Sequence, residues 1–435
     1  MRILIVGAGG REHAIARLLA KSPLVTTLFA APGNAGIGEV ATLLPIDAST
    51  PAGAMELAIH AAREGIELTV VGPEAPLMSG IADRFAERGI AVCGPGSAAA
   101  EIEGSKIFAK EFMERHGIPT ARSRTFATAA EALAYLERPE LGVPVVLKAD
   151  GLAAGKGVVI ARSLDEARGA VRAMMVERRF GRAGDRVLVE ELLEGEEVSV
   201  FAATDGTRIC PLGAAQDHKA LEDGDRGPNT GGMGSYAPVP QLPRDTYEWI
   251  LDEVIGKTIH GLREDGREFR GFLFAGLMLT PDGPKVLEFN ARLGDPEAQT
   301  ILGLVTSDLL PLVRGIAAGD IGGADVTFAE ASAVTVVLAS RGYPEAPLKD
   351  QAIEGIPEAE ALPGVTVAHC GTKIANGRLV SAGGRVLGVT ARGASLRDAA
   401  DLAYAACDRI RFEGKILRRD IGKRGLLFAS REKQG

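Results

Sequence analysis

Glu288 and Asn290 stand two residues apart in the run Val-Leu-Glu-Phe-Asn-Ala-Arg-Leu-Gly-Asp that fills positions 286–295. A strand over 285–289 puts both side chains on one face, because strand side chains alternate with period two. Two hard oxygen ligands side by side suit Mg²⁺, which takes one or two protein oxygens and completes its shell with phosphates and water. Arg292 and Asp295 follow at once, on a turn opened by Gly294 and followed by Pro296. A cation, a pair of metal ligands and a second carboxylate this close together describe a phosphoryl-transfer site.

Three glycine-rich segments bear on that reading. Residues 7–13, Gly-Ala-Gly-Gly-Arg-Glu-His, follow the first strand and enter a helix. Backbone amides at a helix N-terminus bind phosphate, and glycine lets the anion approach closely. The dinucleotide fingerprint needs a third glycine where this chain has Glu12, and an acid at the end of the second strand where it has residues 29–32, Phe-Ala-Ala-Pro. NAD is therefore not expected. A single phosphate near Arg11 or His13 fits the glycines, and so does a tight turn with no ligand.

Residues 148–157, Lys-Ala-Asp-Gly-Leu-Ala-Ala-Gly-Lys-Gly, fail the Walker A spacing. A lysine at a strand end followed by a glycine hairpin can still fold over triphosphate oxygens. Residues 187–197 run from a buried strand into Glu190, Glu191, Glu194, Glu196 and Glu197. The end of such a strand can read an adenine edge and a following Glu can take a ribose diol, although such a charge run taken alone is more often a solvated turn. Asp217, His218 and Lys219 precede the glycine-dense loop 227–234, and long loops of this sort are usually functional or disordered. His218 can serve as a base or as a hydrogen-bonded structural histidine, and the second role is the expected one.

These residues need elements to hold them. Residues 1–104 alternate strands at 3–6, 28–30, 68–71 and 90–93 with helices at 12–21, 55–64 and 81–87, which predicts a parallel sheet with covered faces. Ser105 caps a helix to His116 that carries Lys106 and Lys110. Residues 120–190 alternate short strands and helices, and a long helix is expected over 246–263. A last unit holds a strand at 333–339 and a helix at 396–410. The expected domains are 1–104, 105–325 with a lid at about 120–190, and 326–435.

With 435 residues the chain exceeds one ordinary core. Hydrophobic content of 46% and charged content of 24% are those of a globular protein. A net charge of −8 argues against nucleic acid or an anionic membrane as partner. Cys93, Cys210, Cys370 and Cys407 are too dispersed for zinc or a disulfide framework. The start Met-Arg-Ile-Leu-Ile-Val-Gly is too short an apolar run for a signal peptide, and no segment approaches the roughly 20 apolar residues of a membrane span. A cytoplasmic protein is expected.

The motifs at 7–13, 31–36, 71–77, 104–106, 148–157, 216–219, 227–234, 288–297 and 371–373 occur in the order seen in the glycinamide ribonucleotide synthetases, or phosphoribosylamine–glycine ligases. The resemblance continues to residues 419–422 and covers essentially the whole chain. It implies an α/β fold: an open parallel N-terminal domain, an ATP-grasp domain with a mobile lid, and a small α+β C-terminal domain. It also implies ligation of glycine to 5-phosphoribosylamine with ATP and Mg²⁺ or Mn²⁺, through glycyl phosphate, by a monomer. Lys106, Lys148, Gly151, Gly155, Lys156, Gly157, Glu190, Glu191, Leu193 and Glu197 are then the ATP site, and Glu288 and Asn290 the metal ligands. Gly9, Gly10, Arg11, Asn34, Glu74, Asn229, Gly231 and Gly232 line the substrate pocket. Arg292, Asp295, Asp217 and Lys219 are the catalytic candidates, with Arg292 facing the transferred phosphoryl group.

Two departures from the family pattern stand out. Residues 272–279 carry no acid, where many ATP-grasp enzymes have another metal ligand, and position 8 is Ala where Asn is frequent. The competing expectations are an ATP-grasp carboxylase that activates bicarbonate through carboxyphosphate and a nucleotide-binding regulatory protein without turnover.

Overall fold

The computed structural model describes residues 1–138, 141–151 and 157–432. The N-terminal unit is a five-stranded parallel sheet in the order Thr42–Leu43, Thr27–Pro32, Arg2–Gly7, Leu68–Val71, Ala91–Cys93. Ile3, Leu4 and Ile5 on the central strand are fully buried. Both faces are covered, which is why this strand reads as a continuous apolar run rather than an alternating one. Helices Gly10–Leu19 and Pro51–Arg63 cover it; the second is capped by Thr50 and begins on Pro51. The chain leaves Arg2–Gly7 on one side for Thr27–Pro32 and returns on the other with Leu68–Val71, so the sheet's switch point opens between Gly7 and Gly72.

Residues 123–191 form a four-stranded sheet in the order Ser123–Phe126, Val187–Glu191, Val145–Ala149, Val158–Ala161. Helices Ala129–Leu136 and Leu164–Val171, capped by Thr128 and Ser163, pack on it. Phe126, Leu147, Val171, Met174 and Val189 make a core of its own. A body with its own core can move as a unit, as the lid expectation requires.

A larger antiparallel sheet begins with Gly283–Asn290, Gly271–Thr280, Glu196–Thr204, Ile209–Asp217 and Gly234–Ala237. It continues directly into Ser332–Ser340, Arg385–Gly393 and Val365–His369. Thr335 lies opposite Ser235, so the strands of the last unit extend the middle unit's sheet across the boundary expected at 326. The last unit's core packs helix Leu396–Arg409 on Val334, Val336 and Val389.

The helix expected over 246–263 is interrupted. Two α segments, Arg244–Ile250 and Lys257–Glu264, flank a π turn at Leu251–Gly256. The wider turn keeps Ile250, Val254, Ile255 and Ile259 all on the buried side. Among the described residues, no helix is long and apolar enough to cross a membrane.

Candidate active site

Strand Gly283–Asn290 pairs antiparallel with Gly271–Thr280, but the register slips so that Glu288 opposes Gly276 while Val286 opposes Leu277. Leu287 is the extra residue of a bulge, a device that re-aims side chains next to active sites. Its carbonyl, freed from the ladder, accepts a hydrogen bond from Lys148 Nζ at 3.1 Å. Glu288 faces the open side of the sheet. Burial in the cleft works against its charge, yet Lys219, Lys148, Lys106 and Arg292 outweigh that and hold its carboxyl below the usual range. Four cations therefore favour the charged form of one carboxylate.

Asn290 is buried. Its Oδ1 accepts from Arg292 Nη2 at 3.0 Å, and its Nδ2 has no partner among the described residues. The Glu288 carboxylate and the Asn290 amide oxygen, two residues apart, are hard oxygen donors of the kind a divalent cation takes, with its other ligands coming from phosphate and water. No group of three His, Cys, Asp or Glu side chains among the described residues could hold a metal ion by itself. Gly276 lies opposite Glu288, and a Cβ there would come within 3.3 Å of Glu288 Cγ.

Lys148 is buried on the lid strand Val145–Ala149, with Nζ 2.6 Å from Glu190 Oε2. The other oxygen of Glu190 lies 2.7 Å from Lys110 Nζ, which also donates to Thr120 Oγ1 and the Ala121 carbonyl. Glu190 thus stands between two lysines. Glu191 pairs with Arg122 at 2.7 Å and Lys285 at 3.7 Å. Leu193 lies on the link between the lid sheet and the large sheet. Its side chain is buried, and its backbone N–H and C=O find no partner among the described residues. Lys106 opens its helix beside the Ser105 cap and donates to the Gly151 carbonyl at 2.8 Å; burial pushes its ammonium pKa down. The Gly157 carbonyl accepts from Ala149 N. Gly155 and Lys156 lie outside the described residues.

Asp217 ends strand Ile209–Asp217, and Lys219 follows 2.5 Å from Glu197. Burial pushes the Asp217 carboxyl up, with Lys219 opposing. Burial would lower the Lys219 ammonium, but Asp217, Glu197 and Glu288 outweigh it and raise it. A short hairpin places exposed Asn229 opposite Ala220 and leads into Gly231 and Gly232. Gly232 has φ +109, and a Cβ there would come within 2.5 Å of Pro296 Cδ, so this loop lies directly on the Asp295–Pro296 turn.

Arg292 does not stand free. It pairs with Glu103 at 2.9 Å and Glu74 at 3.3 Å, both from the N-terminal part of the chain. Glu103 also accepts from Ala291 N at 2.7 Å, which fixes the turn after the strand of Glu288 and Asn290. Asp295 accepts from Gln299 Nε2 at 2.8 Å and lies 3.3 Å from Arg385. Burial opposes its charge, but Arg385 and Arg11 outweigh it and keep the carboxyl low.

The sequence matches the N domain of phosphoribosylglycinamide synthetase over residues 1–103, its ATP-grasp (A) domain over 104–298 and its C domain over 333–424. A phosphoribosylamine–glycine ligase of Pseudomonas aeruginosa is 47% identical over 98% of both chains. The chain belongs to the phosphoribosylglycinamide synthetase family. The human trifunctional purine biosynthetic protein adenosine-3 is 46% identical over 98% of this chain and 42% of its own length. The solved phosphoribosylamine–glycine ligase of Thermotoga maritima superposes with a TM-score of 0.83 at 36% identity, covering 97% of this chain and 100% of that one. A biotin carboxylase domain from Hydrogenobacter thermophilus, solved with MgADP and bicarbonate, shares the fold (TM-score 0.74, 96% of this chain, 91% of that one) at 19% identity. As a phosphoribosylglycinamide synthetase the chain is an ATP-dependent ligase of purine biosynthesis.

Within this phosphoribosylglycinamide synthetase, the expected phosphate cradle looks different from its sequence. Glu12 Oε2 accepts from Gly9 N at 2.6 Å and its Oε1 from Arg11 Nε at 2.5 Å. A Cβ on Gly72 would lie 2.0 Å from that carboxylate. The glycines therefore make room for Glu12 itself, an internal anion at the helix N-terminus where the dinucleotide fingerprint has glycine. Arg11 is buried and also donates to the Leu293 carbonyl at 2.8 Å. Asn34 Nδ2 donates to the carbonyls of Ala8 and His369, and its Oδ1 accepts from Ile37 N. Gly10 abuts Cys370. The side chains of Arg11 and Asn34, expected to face substrate, are instead bonded within the protein, partly across the seam to the last domain. A polar side chain in a glycine loop has the same sequence whether it meets a ligand or another domain.

His218 is buried as expected but is not hydrogen-bonded through its ring. Both ring nitrogens lack a partner among the described residues, and burial pushes its pKa down to about 4, keeping it neutral. The sequence reasoning missed Lys110, Glu103 and Arg385. Lys110 alone left a signal, four residues after Lys106 on the same helix.

Proposed function

We propose that the chain joins glycine to 5-phosphoribosylamine, giving glycinamide ribonucleotide, ADP and phosphate, as a cytoplasmic monomer using Mg²⁺ or Mn²⁺. The observation that carries the site assignment is that Lys148 and Arg292 are bonded to the strand on either side of Glu288, at the Leu287 carbonyl (3.1 Å) and Asn290 Oδ1 (3.0 Å), while Lys106, Lys148, Lys219 and Arg292 all favour the Glu288 charge. A cluster of cations with one carboxylate suits a triphosphate losing its terminal phosphoryl group, where positioned charge does most of the work.

Glycine's carboxylate is a weak electrophile, so its oxygen first takes the γ-phosphoryl group of ATP to form glycyl phosphate. Lys148 and Lys106 neutralise the triphosphate, and the loop of Gly151, Gly155, Lys156 and Gly157 covers it. Glu190 keeps Lys148 in place. The free backbone groups of Leu193 read the adenine edge, with Glu191 and Glu197 nearby for the ribose. A divalent ion held by Glu288 and Asn290 would offset charge on the phosphoryl oxygens. The amine of phosphoribosylamine then attacks the acyl carbon and phosphate leaves. Asp217 and Asp295 orient the reacting amine and glycine's ammonium, Lys219 adds positive charge beside Asp217 and Glu288, and Asn229, Gly231 and Gly232 border the acceptor. Arg292, already paired with Glu74 and Glu103, holds Asn290 and the turn after it. Gly9, Gly10, Arg11 and Asn34 shape the wall of the acceptor pocket through backbone and domain contacts. Closure of the lid keeps water from the acyl phosphate.

Phosphate release measured with each substrate omitted in turn tests the assignment. Release that requires ATP, glycine and phosphoribosylamine together is the expected result. Release that depends on bicarbonate and not on glycine would overturn it.

A further inference from the structure

Arg385 comes from the last domain, 90 positions after Asp295. Its Nη1 donates to the Asp295 carbonyl and to the Gly231 carbonyl, both at 2.6 Å, and lies 3.3 Å from Asp295 Oδ1. The strand that carries it is bulged. Arg385 opposes Ala339 while Leu387 opposes Leu338, so Val386 is the extra residue. The Val386 carbonyl, released from that ladder, accepts from both Cys370 N and Gly371 N. A bulge turns the adjoining side chain away from the regular face, and here it sends a guanidinium out of the last domain onto the turn after the strand of Glu288 and Asn290.

A second residue of that domain completes the grip. Gly231 N donates to Tyr343 Oη at 3.0 Å, so both backbone groups of Gly231 are held by the last domain. The loop 231–232 and the turn 295–296 already touch, since a Cβ on Gly232 would meet Pro296 Cδ. Arg385 is bonded to both. Apolar packing would not need a guanidinium bonded to two carbonyls and a carboxylate at one point. Fixing a charged group and a loop relative to one another does need it.

We infer that Arg385 is a positioning residue of the ligase, through which the C-terminal domain sets the place of Asp295 and of the Gly231–Gly232 loop against the acceptor. This rests on the role proposed above for Asp295. The last domain is then part of the catalytic centre and not only a cover for it.

The test is steady-state kinetics of the full-length enzyme with Arg385→Gln, Arg385→Lys, Asp295→Asn and the Arg385→Gln/Asp295→Asn double variant, alongside ATP binding and the thermal midpoint. Misplacement of a reacting group by about 1 Å costs roughly 100-fold, and a loss of that order in kcat is expected for Arg385→Gln. The KM for ATP, ATP binding and the thermal midpoint should stay near wild type. Arg385→Lys should recover part of the loss. The double variant should be no worse than Asp295→Asn alone, because the two residues act as one unit. An Arg385→Gln enzyme within about threefold of wild type, or losses that multiply in the double variant, would overturn the inference while leaving an inactive Asp295→Asn as support for the proposed chemistry. Equal damage to kcat, ATP binding and thermal midpoint would reduce Arg385 to a structural residue. Full activity in Asp295→Asn would remove the role of Asp295 and the inference with it.

Discussion

Lys148 and Glu190 lie diagonally across two antiparallel strands of the lid and meet 2.6 Å apart, with Lys110 of the neighbouring helix closing on the same carboxylate. Lys148 also donates to the Leu287 carbonyl on the strand of Glu288 and Asn290. Lys148 is therefore set from three sides: its own sheet, the helix that opens with Lys106, and the strand of Glu288.

This arrangement makes Glu190→Gln costly. The amide would leave two buried ammonium groups without a carboxylate, and breaking a buried ion pair from one side costs about 3–5 kcal/mol. Urea unfolding of the variant should show a loss of that order, and ATP affinity should fall because Lys148 loses its anchor. A variant as stable as wild type with unchanged ATP binding would mean that Glu190 does not hold the lysines.

Glu288→Gln should act in the opposite way on stability and activity. Glu288 faces the open cleft, so the fold should survive. The substitution removes the carboxylate whose charge Lys219, Lys148, Lys106 and Arg292 all favour, and one of two proposed metal ligands. Turnover should fall by roughly 100-fold or more, with a raised requirement for divalent cation. Lys148→Ala should cause a comparable loss. Near-normal turnover in either variant, with far-UV circular dichroism unchanged, would refute the metal or phosphate assignment.

The part of this site that could be read in advance is the part that is local in sequence. Glu288 and Asn290 share a face because they are two residues apart on one strand, and the buried parallel strands announce themselves as apolar runs. Glu103 and Arg385 could not be read that way. Glu103 reaches Ala291 across 188 positions, and Arg385 reaches Gly231 across 154. Each acts only through a partner that the fold brings to it. The π turn at Leu251–Gly256 was equally silent, because an extra residue in a helix turn leaves the apolar spacing nearly unchanged. The bonds that Arg11 and Asn34 make within the protein were silent for a related reason: Glu12, Leu293, Ala8 and His369 satisfy the same bonding groups a phosphate or sugar would.

Glu297 gives a stability profile with an unusual sign. Burial, and then the nearby Asp217, push its carboxyl up to about 7 from an ordinary 4.5. Between those values the folded protein holds a proton that the unfolded chain has lost. The contribution is therefore complete at low pH and declines as pH rises through 7, by at most about 1.4 kcal/mol per pH unit. Glu297→Gln mimics the protonated form. Its unfolding free energy should match wild type at pH 5 and exceed it at pH 8 by on the order of 1–3 kcal/mol. A difference that does not change with pH would show that Glu297 is ionised in the folded state throughout.

His13 predicts the acid side. Its Nδ1 accepts the backbone N–H of His369 at 2.8 Å, joining the first helix to the last domain. Burial, then His369 and Arg17, push its pKa down to about 3 from an ordinary 6.5, so the ring stays neutral in the fold. Below pH 6.5 the unfolded chain takes up a proton that the folded chain refuses. Stability present above 6.5 should then be lost as pH falls, at roughly 1.4 kcal/mol per unit for this ring. His369, lowered to about 4 mainly by burial, adds a second such slope, and His218 a third. His13→Gln offers the same N–H a neutral carbonyl acceptor and cannot titrate. Denaturant unfolding between pH 6 and 4 should therefore give a shallower decline for the variant, by about one proton's worth, while its stability at pH 8 is slightly lower from imperfect fit at the seam. Parallel slopes for variant and wild type would mean that His13 is free to protonate in the folded protein, and that its bond to His369 does not hold the two domains together.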